Sequence, residues 1–342
     1  MKIGFGTWRF FLAFLVVISH LWAGMLDGPA AYAVWGFFVL SGYLMTYVLA
    51  EKYGPSKAGL QDFAYNRILR IYPAYAVAAV CGWLVLRGMP HFGANPAALN
   101  GQFVMPTSLL DWVKNITLLP LTDGGPLLVP VSGALAVEVG VYVLMPLLAF
   151  GRGAAWLGLI LSLLLNWKHG IQIESFGVRY STFLTCIAPF ALGSLVAHYR
   201  TQLAFLKTPA SVVVWLLHGL LWLFDPHWPW MYGLYVSALL SAWVVLSLAD
   251  CRTARLDAWL GDLSYPLYLF HTTVAVLLLP LMGSDRSFGF FAAAFLLTMI
   301  VCYLVLVCVD RPLQQLKKRR DVRTATGAAA PVLKPAPCRD GI

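Results

Sequence analysis

Apolar residues run along this chain in continuous blocks, with polar residues confined to the joints between blocks and to a few isolated positions inside them. A helix needs about 20 predominantly apolar residues to cross the hydrocarbon of a bilayer. By that measure ten segments are candidates, approximately 8–26, 30–50, 69–87, 131–150, 154–167, 181–199, 208–224, 228–248, 263–282 and 288–309, the fifth being short. The blocks are unbroken where a transmembrane β-barrel would alternate, so a barrel is excluded. The expected fold is all-α, a polytopic membrane helix bundle of about ten transmembrane helices within residues 1–312. A basic and then Ala/Pro-rich tail, 313–342, is expected to be disordered.

Composition agrees with the pattern. Of the residues, 60% are hydrophobic and 11% charged, and the mean hydropathy of +0.75 is beyond what a water-soluble domain of this size carries. With the N-terminus in the cytoplasm, the inner connections hold 19 of the 24 Lys and Arg, and the outer ones only Arg87, Lys114, Lys168, Arg179 and Arg286. Such an excess of basic residues sets orientation. Both termini are therefore expected in the cytoplasm, in a multi-pass protein of the cell (inner) membrane. The net charge of +9 then reflects topology and contact with anionic headgroups, most clearly at Lys317-Lys318-Arg319-Arg320, and makes no case for nucleic acid. The cysteines show no metal-ligand spacing, so no metal site is expected. The first span has no cleavage site after a short apolar core and reads as a retained anchor.

Ionisable residues inside the spans are where chemistry is expected, because such groups face a cavity or a partner and mark substrate or proton paths. His20 follows Arg9 by eleven residues, about 16 Å along a helix. Glu138 lies about seven residues below the outer surface of the fourth span, with Tyr142 one turn further in on the same face. His271 lies near the middle of the ninth, with Tyr268 and Ser264 one and two turns behind. In the second span, the small pair Ser41-Gly42 admits a neighbouring helix or a ligand close to the backbone.

Arg67 and Arg70 are three apart and share a helix face. Pro73 is expected to break the helix there and turn both against the mouth of the bundle. Paired guanidiniums make a phosphate clamp, and snorkelling to lipid headgroups explains the same pair; spacing alone does not separate the two. Outside, 88–130 is the longest connection, and its amphipathic piece 108–116 is expected at the membrane interface, as a lid over an outward-facing cavity or a structural hairpin. Asn115-Ile116-Thr117 fits a glycosylation triplet of a kind that arises often by chance.

Taken in order, these pieces resemble the acyltransferase 3 family of integral-membrane O-acyltransferases. The resemblance rests on Arg9 and His20 with ten residues between them; Phe37-Phe38-Val39-Leu40-Ser41-Gly42-Tyr43; Arg67-x-x-Arg70-x-Tyr72-Pro73-x-Tyr75; Glu138 with Tyr142 and Pro146; Ser264-Tyr265-Pro266-Leu267-Tyr268-Leu269-Phe270-His271; and the exit Asp310-Arg311-Pro312. Departures are Gly133 where the family commonly has Trp, Val141 where it commonly has Phe, and Asp310 where Glu is usual. No hydrolase-like domain is expected after the last span.

The resemblance implies acyl-CoA, often acetyl-CoA, as donor substrate, no permanently bound cofactor, and a carbohydrate hydroxyl as acceptor, on a cell-surface or lipid-linked glycan. Arg9, Arg67 and Arg70 would bind the donor phosphates, and the distance from Arg9 to His20 is comparable with an extended pantetheine arm. His20 would take the acceptor's proton, Glu138 would orient that imidazole, and Tyr142, Tyr268 or His271 would donate to the oxyanion. Ser41 would line the same site. Direct transfer and an acyl-enzyme both fit. The alternatives are O-acylation of a small glycosylated metabolite and a transporter of lipid-linked sugars; against the latter, the chain shows no paired half-sequence repeat.

Overall fold

The computed structural model describes residues 4–25, 28–251 and 253–313. The tail from 314 onward lies outside the described residues. The helices are α1 Phe5–Leu21, α2 Pro29–Val48, α3 Lys57–Gly88, α4 Leu109–Thr117, α5 Ser132–Phe150, α6 Arg152–Lys168, α7 Phe176–Ser181, α8 Ile187–His198, α9 Ala210–Gly219, α10 Gly233–Leu248, α11 Arg255–Val276, α12 Leu279–Met282 and α13 Phe288–Val305. No strand occurs among the described residues. Four helical stretches, Pro29–Tyr53, Lys57–Phe92, Ser132–Phe150 and Phe288–Leu313, are long and apolar enough to cross a membrane. Outward positions such as Val143, Leu147, Leu161, Leu164, Leu296 and Ile300 are exposed apolar side chains, the surface that lipid would cover.

Several elements differ from the sequence expectation. Pro73 does not break its helix: α3 runs through it without interruption. A proline removes one backbone bond, and tertiary bonds on both sides hold the stretch, Tyr72 Oη donating to Thr117 O at 2.5 Å, Tyr75 Oη to Asn115 O at 2.6 Å, and Tyr265 Oη to Ile71 O at 3.0 Å. The first helix is shorter than its apolar block, so His20 sits in the last turn of α1. Its end is pinned from outside α1: Arg286 donates to the His20 carbonyl at 3.2 Å, and Ala23 N–H donates to the Arg286 carbonyl at 2.8 Å. The sixth block starts its helix late: α7 ends at Ser181 and α8 begins only at Ile187, and between them Thr182 and Thr185 turn their hydroxyls onto the Val178 carbonyl.

The long connection is packed against α3. Helix α4 buries its polar side, Lys114 and Asn115, and exposes Leu109, Leu110, Val113 and Ile116. That is inside-out for a helix in water and right for one facing lipid. Asn115 uses both ends of its amide, Nδ2 donating to Asp111 O and Pro126 O and Oδ1 accepting from Leu128 N. The glycosylation triplet is thereby occupied internally.

Two close helix pairs frame the interior. Against α11, α1 is fastened at its N-terminus, where the Asp257 carboxylate accepts from Gly4 N, Gly6 N, Thr7 N and Thr7 Oγ1 at 3.0, 3.2, 2.8 and 2.7 Å. These are N–H groups that a helix start leaves without partners, and a carboxylate there also opposes the helix dipole. Across the bundle, α2 meets α8 through glycines: a Cβ at Gly42 would stand 2.1 Å from the Phe190 carbonyl oxygen, and one at Gly193 would stand 1.9 Å from that of Val39. Of the two readings of Ser41-Gly42, Gly42 serves helix packing.

Candidate active site

Two cavities enter the bundle from opposite ends of α1. One, of about 260 Å³, is lined by Arg9, Arg67, Arg70, Ser41, Glu138, Tyr142 and Tyr268 among others. The other, of about 250 Å³, is lined by His20, Asn100, Gln102, Thr122, Tyr180 and Ser181, and again by Tyr268.

In the arginine cavity, three guanidiniums face one carboxylate. No ion pair within 4 Å joins Glu138 to any of them among the described residues. The Glu138 carboxylate is held otherwise: Oε1 accepts from Ser41 Oγ and Tyr142 Oη, both at 2.7 Å. Arg67 stacks over Phe63, 5.6 Å from the ring centre, and its buried Nε has no partner. Buried donors are normally satisfied, so an orphaned guanidinium N–H beside a cavity points to an anionic ligand. Arg67 and Arg70 also line a smaller adjoining cavity of about 120 Å³ with Asp262 and Asp310.

In the histidine cavity, His20 Nδ1 lies 3.0 Å from His271 Nε2, with the rings stacked at 27°. Chemistry fixes which nitrogen donates. His271 Nδ1 approaches the carbonyls of Leu267 and Tyr268 at 3.2 and 2.8 Å, and a carbonyl only accepts. Nδ1 of His271 therefore carries the proton, and its Nε2 is a lone pair in the neutral ring. That lone pair takes the Nδ1–H of His20. His20 Nε2 is left unprotonated and without a protein partner among the described residues, the state a general base needs.

This corrects the expected pairing of His20 with Glu138: they line different cavities, and the partner of His20 is His271. His271, with its Nε2 already engaged, is an acceptor toward His20 and no donor to an oxyanion. Tyr142 and Tyr268 also have their hydroxyls engaged, the latter donating to Val131 O at 2.9 Å. The expectation overlooked Tyr180, a phenol in the histidine cavity whose hydroxyl has no partner among the described residues. Nothing in its local sequence distinguishes it. Asn100 and Gln102 were missed for the same reason.

The two departures at α5 fall in different places. Val141 is buried in the core. Gly133 lines the histidine cavity, and a Cβ built there would meet nothing within 4 Å.

A family model described as an acyltransferase domain matches residues 3–307. The chain belongs to the acyltransferase 3 family. No curated protein and no solved structure matches it. As a member of the acyltransferase 3 family, with four helices long and apolar enough to span, it is a membrane protein. Within this family member, the matched stretch contains every residue placed above in the two main cavities.

Proposed function

We propose that this acyltransferase 3 member is a membrane O-acyltransferase that moves a short acyl group, acetyl foremost, from acyl-CoA to a hydroxyl of a cell-surface or lipid-linked carbohydrate. The observation that carries the reading is the free Nε2 of His20, oriented by His271 inside a cavity that shares Val34, Phe38, Ala134 and Tyr268 with the arginine-lined one. Arg9, Arg67 and Arg70 bind the donor's phosphates from the cytoplasm, and the pantetheine arm extends past Glu138 toward His20. The acceptor enters from the opposite end, where Asn100, Gln102, Thr122 and Ser181, beside Lys114 and Asp123, offer donors and acceptors that suit a polyol. Polar sites built this way discriminate strongly for hydroxyl-bearing ligands.

His20 Nε2 takes the proton of the attacking hydroxyl. The new C–O bond forms on the thioester carbonyl, the C–S bond breaks, and the proton passes from His20 to the departing sulfur. Tyr180 is the phenol free to donate to the developing oxyanion. His271 keeps the His20 ring in the tautomer that can accept. Ser41 and Tyr142 hold Glu138 as a counter-charge to the arginines, a positioning role in donor binding.

Sidedness is tested in proteoliposomes with radiolabelled acetyl-CoA added to one face and methyl glycosides to the other. Label is expected in a base-labile ester across the membrane. A carrier of lipid-linked sugars would leave no label in ester.

A further inference from the structure

Val34, Phe38, Ala134 and Tyr268 line both cavities and form the wall between them. On the reading above, the donor's thioester has to come to this wall to meet His20. Its acyl substituent then has three directions. Backward, the pantetheine fills the arginine cavity. Forward lies the histidine cavity, which the acceptor has to occupy; hydrocarbon there would displace it and leave Asn100, Gln102, Thr122 and Ser181 without the hydrogen bonds a hydroxyl-bearing ligand supplies. Sideways stands Phe38.

The wall is built to stay. Phe38 stacks on Phe190 of α8, ring centres 4.6 Å apart at 23°. Helix α8 has no room to move toward α2, because their backbones already touch at Gly42 and Gly193. Tyr268 is tethered at its hydroxyl to Val131 and meets Phe37 at 67°, centres 6.3 Å apart. A close-packed wall held from both sides does not yield to an added methylene without strain.

We propose that this four-residue wall selects the acyl group by length, admitting acetyl and refusing longer chains, with Phe38 the chief determinant. The inference rests on the donor reading of the arginine cavity, and the test separates the two. S-ethyl-CoA and S-hexyl-CoA, unreactive thioethers of the donor, are titrated against the purified full chain alongside free CoA, so no acceptor is needed.

One methylene in an apolar pocket is worth about tenfold or more. The wild type is expected to bind S-ethyl-CoA at least about tenfold more tightly than S-hexyl-CoA, and Phe38→Ala is expected to erase most of that ratio. Should Phe38→Ala not yield folded protein, Ala134→Val tests the same wall, and it is expected to lower the affinity ratio of S-ethyl-CoA to free CoA. Equal binding of both thioethers by the wild type overturns the selection, as does a ratio unmoved in both variants. Absence of binding by any of the three ligands overturns the donor reading instead.

Discussion

His271 accepts the Nδ1–H of His20 across 3.0 Å, and its own Nδ1–H is committed to backbone carbonyls. The pair is a neutral counterpart of an acid-oriented imidazole: the second ring sets the tautomer of the first and carries no charge into the interior. His271→Ala leaves His20 free to adopt either tautomer. General-base catalysis is worth about 10²–10⁴-fold, and His271→Ala is expected to lose a large share of that in kcat with little change in KM for acyl-CoA. His271→Gln, whose amide oxygen still accepts, is expected to recover part of it. Steady-state kinetics on the three proteins, with a pH–rate profile of each, checks this; a purely structural role would lower the amount of folded enzyme and leave the profile's shape unchanged.

On the proposed reading, Arg67 and Arg70 act on the donor alone. Hydrogen bonds to charged groups contribute about 1.5–3 kcal/mol each, so Arg67→Ala is expected to raise KM for acyl-CoA by roughly tenfold or more, and the double variant with Arg70→Ala by more still. KM for the acceptor should hold. Unchanged donor affinity in the double variant would return both arginines to lipid anchoring.

Gly133 sits in the first turn of α5, in a helix where alanine would be favoured by about 1 kcal/mol, and the space beside it is open. Gly133→Trp is expected to fill part of the histidine cavity and weaken the acceptor while S-ethyl-CoA still binds. Titrating donor thioether and acceptor separately distinguishes this from misfolding, which would abolish both.

Asp257 ties the start of α1 to α11, the two helices that carry His20 and His271. Asp257→Ala removes a charged acceptor from four donors and is expected to cost about 2 kcal/mol or more, read as a lower unfolding midpoint in detergent. Asp257→Asn keeps one acceptor oxygen and should fall between.

How far the sequence carries is plain from particular residues. The spacing of Arg9 and His20 lies within one helix, so local geometry sufficed to separate them along its axis; the same holds for Arg67 and Arg70. The partner of His20 is 251 positions away, and Glu138 is joined to Ser41 across 97. Pairings at such range depend on helix packing, which no periodicity encodes. Sequence reasoning paired the two conspicuous buried groups, a carboxylate and an imidazole, by chemistry, whereas the fold gives each a different partner. Helix α4 shows the same division: amphipathic spacing tells that two faces differ, and only the bundle decides that the polar one turns inward. Pro73 misled because a missing backbone bond is a small local loss that the tyrosine bonds around it outweigh.

The most direct test is of His20 itself. Purified wild-type protein and His20→Ala are incubated with radiolabelled acetyl-CoA and a glycan that the wild type acetylates, and ester-bound label is followed in a single turnover. His20→Ala is expected to bind acetyl-CoA as the wild type does and to form ester at least about 10²-fold more slowly. Ester formation at the wild-type rate would contradict the assignment of the imidazole as base, and with it the two-cavity mechanism.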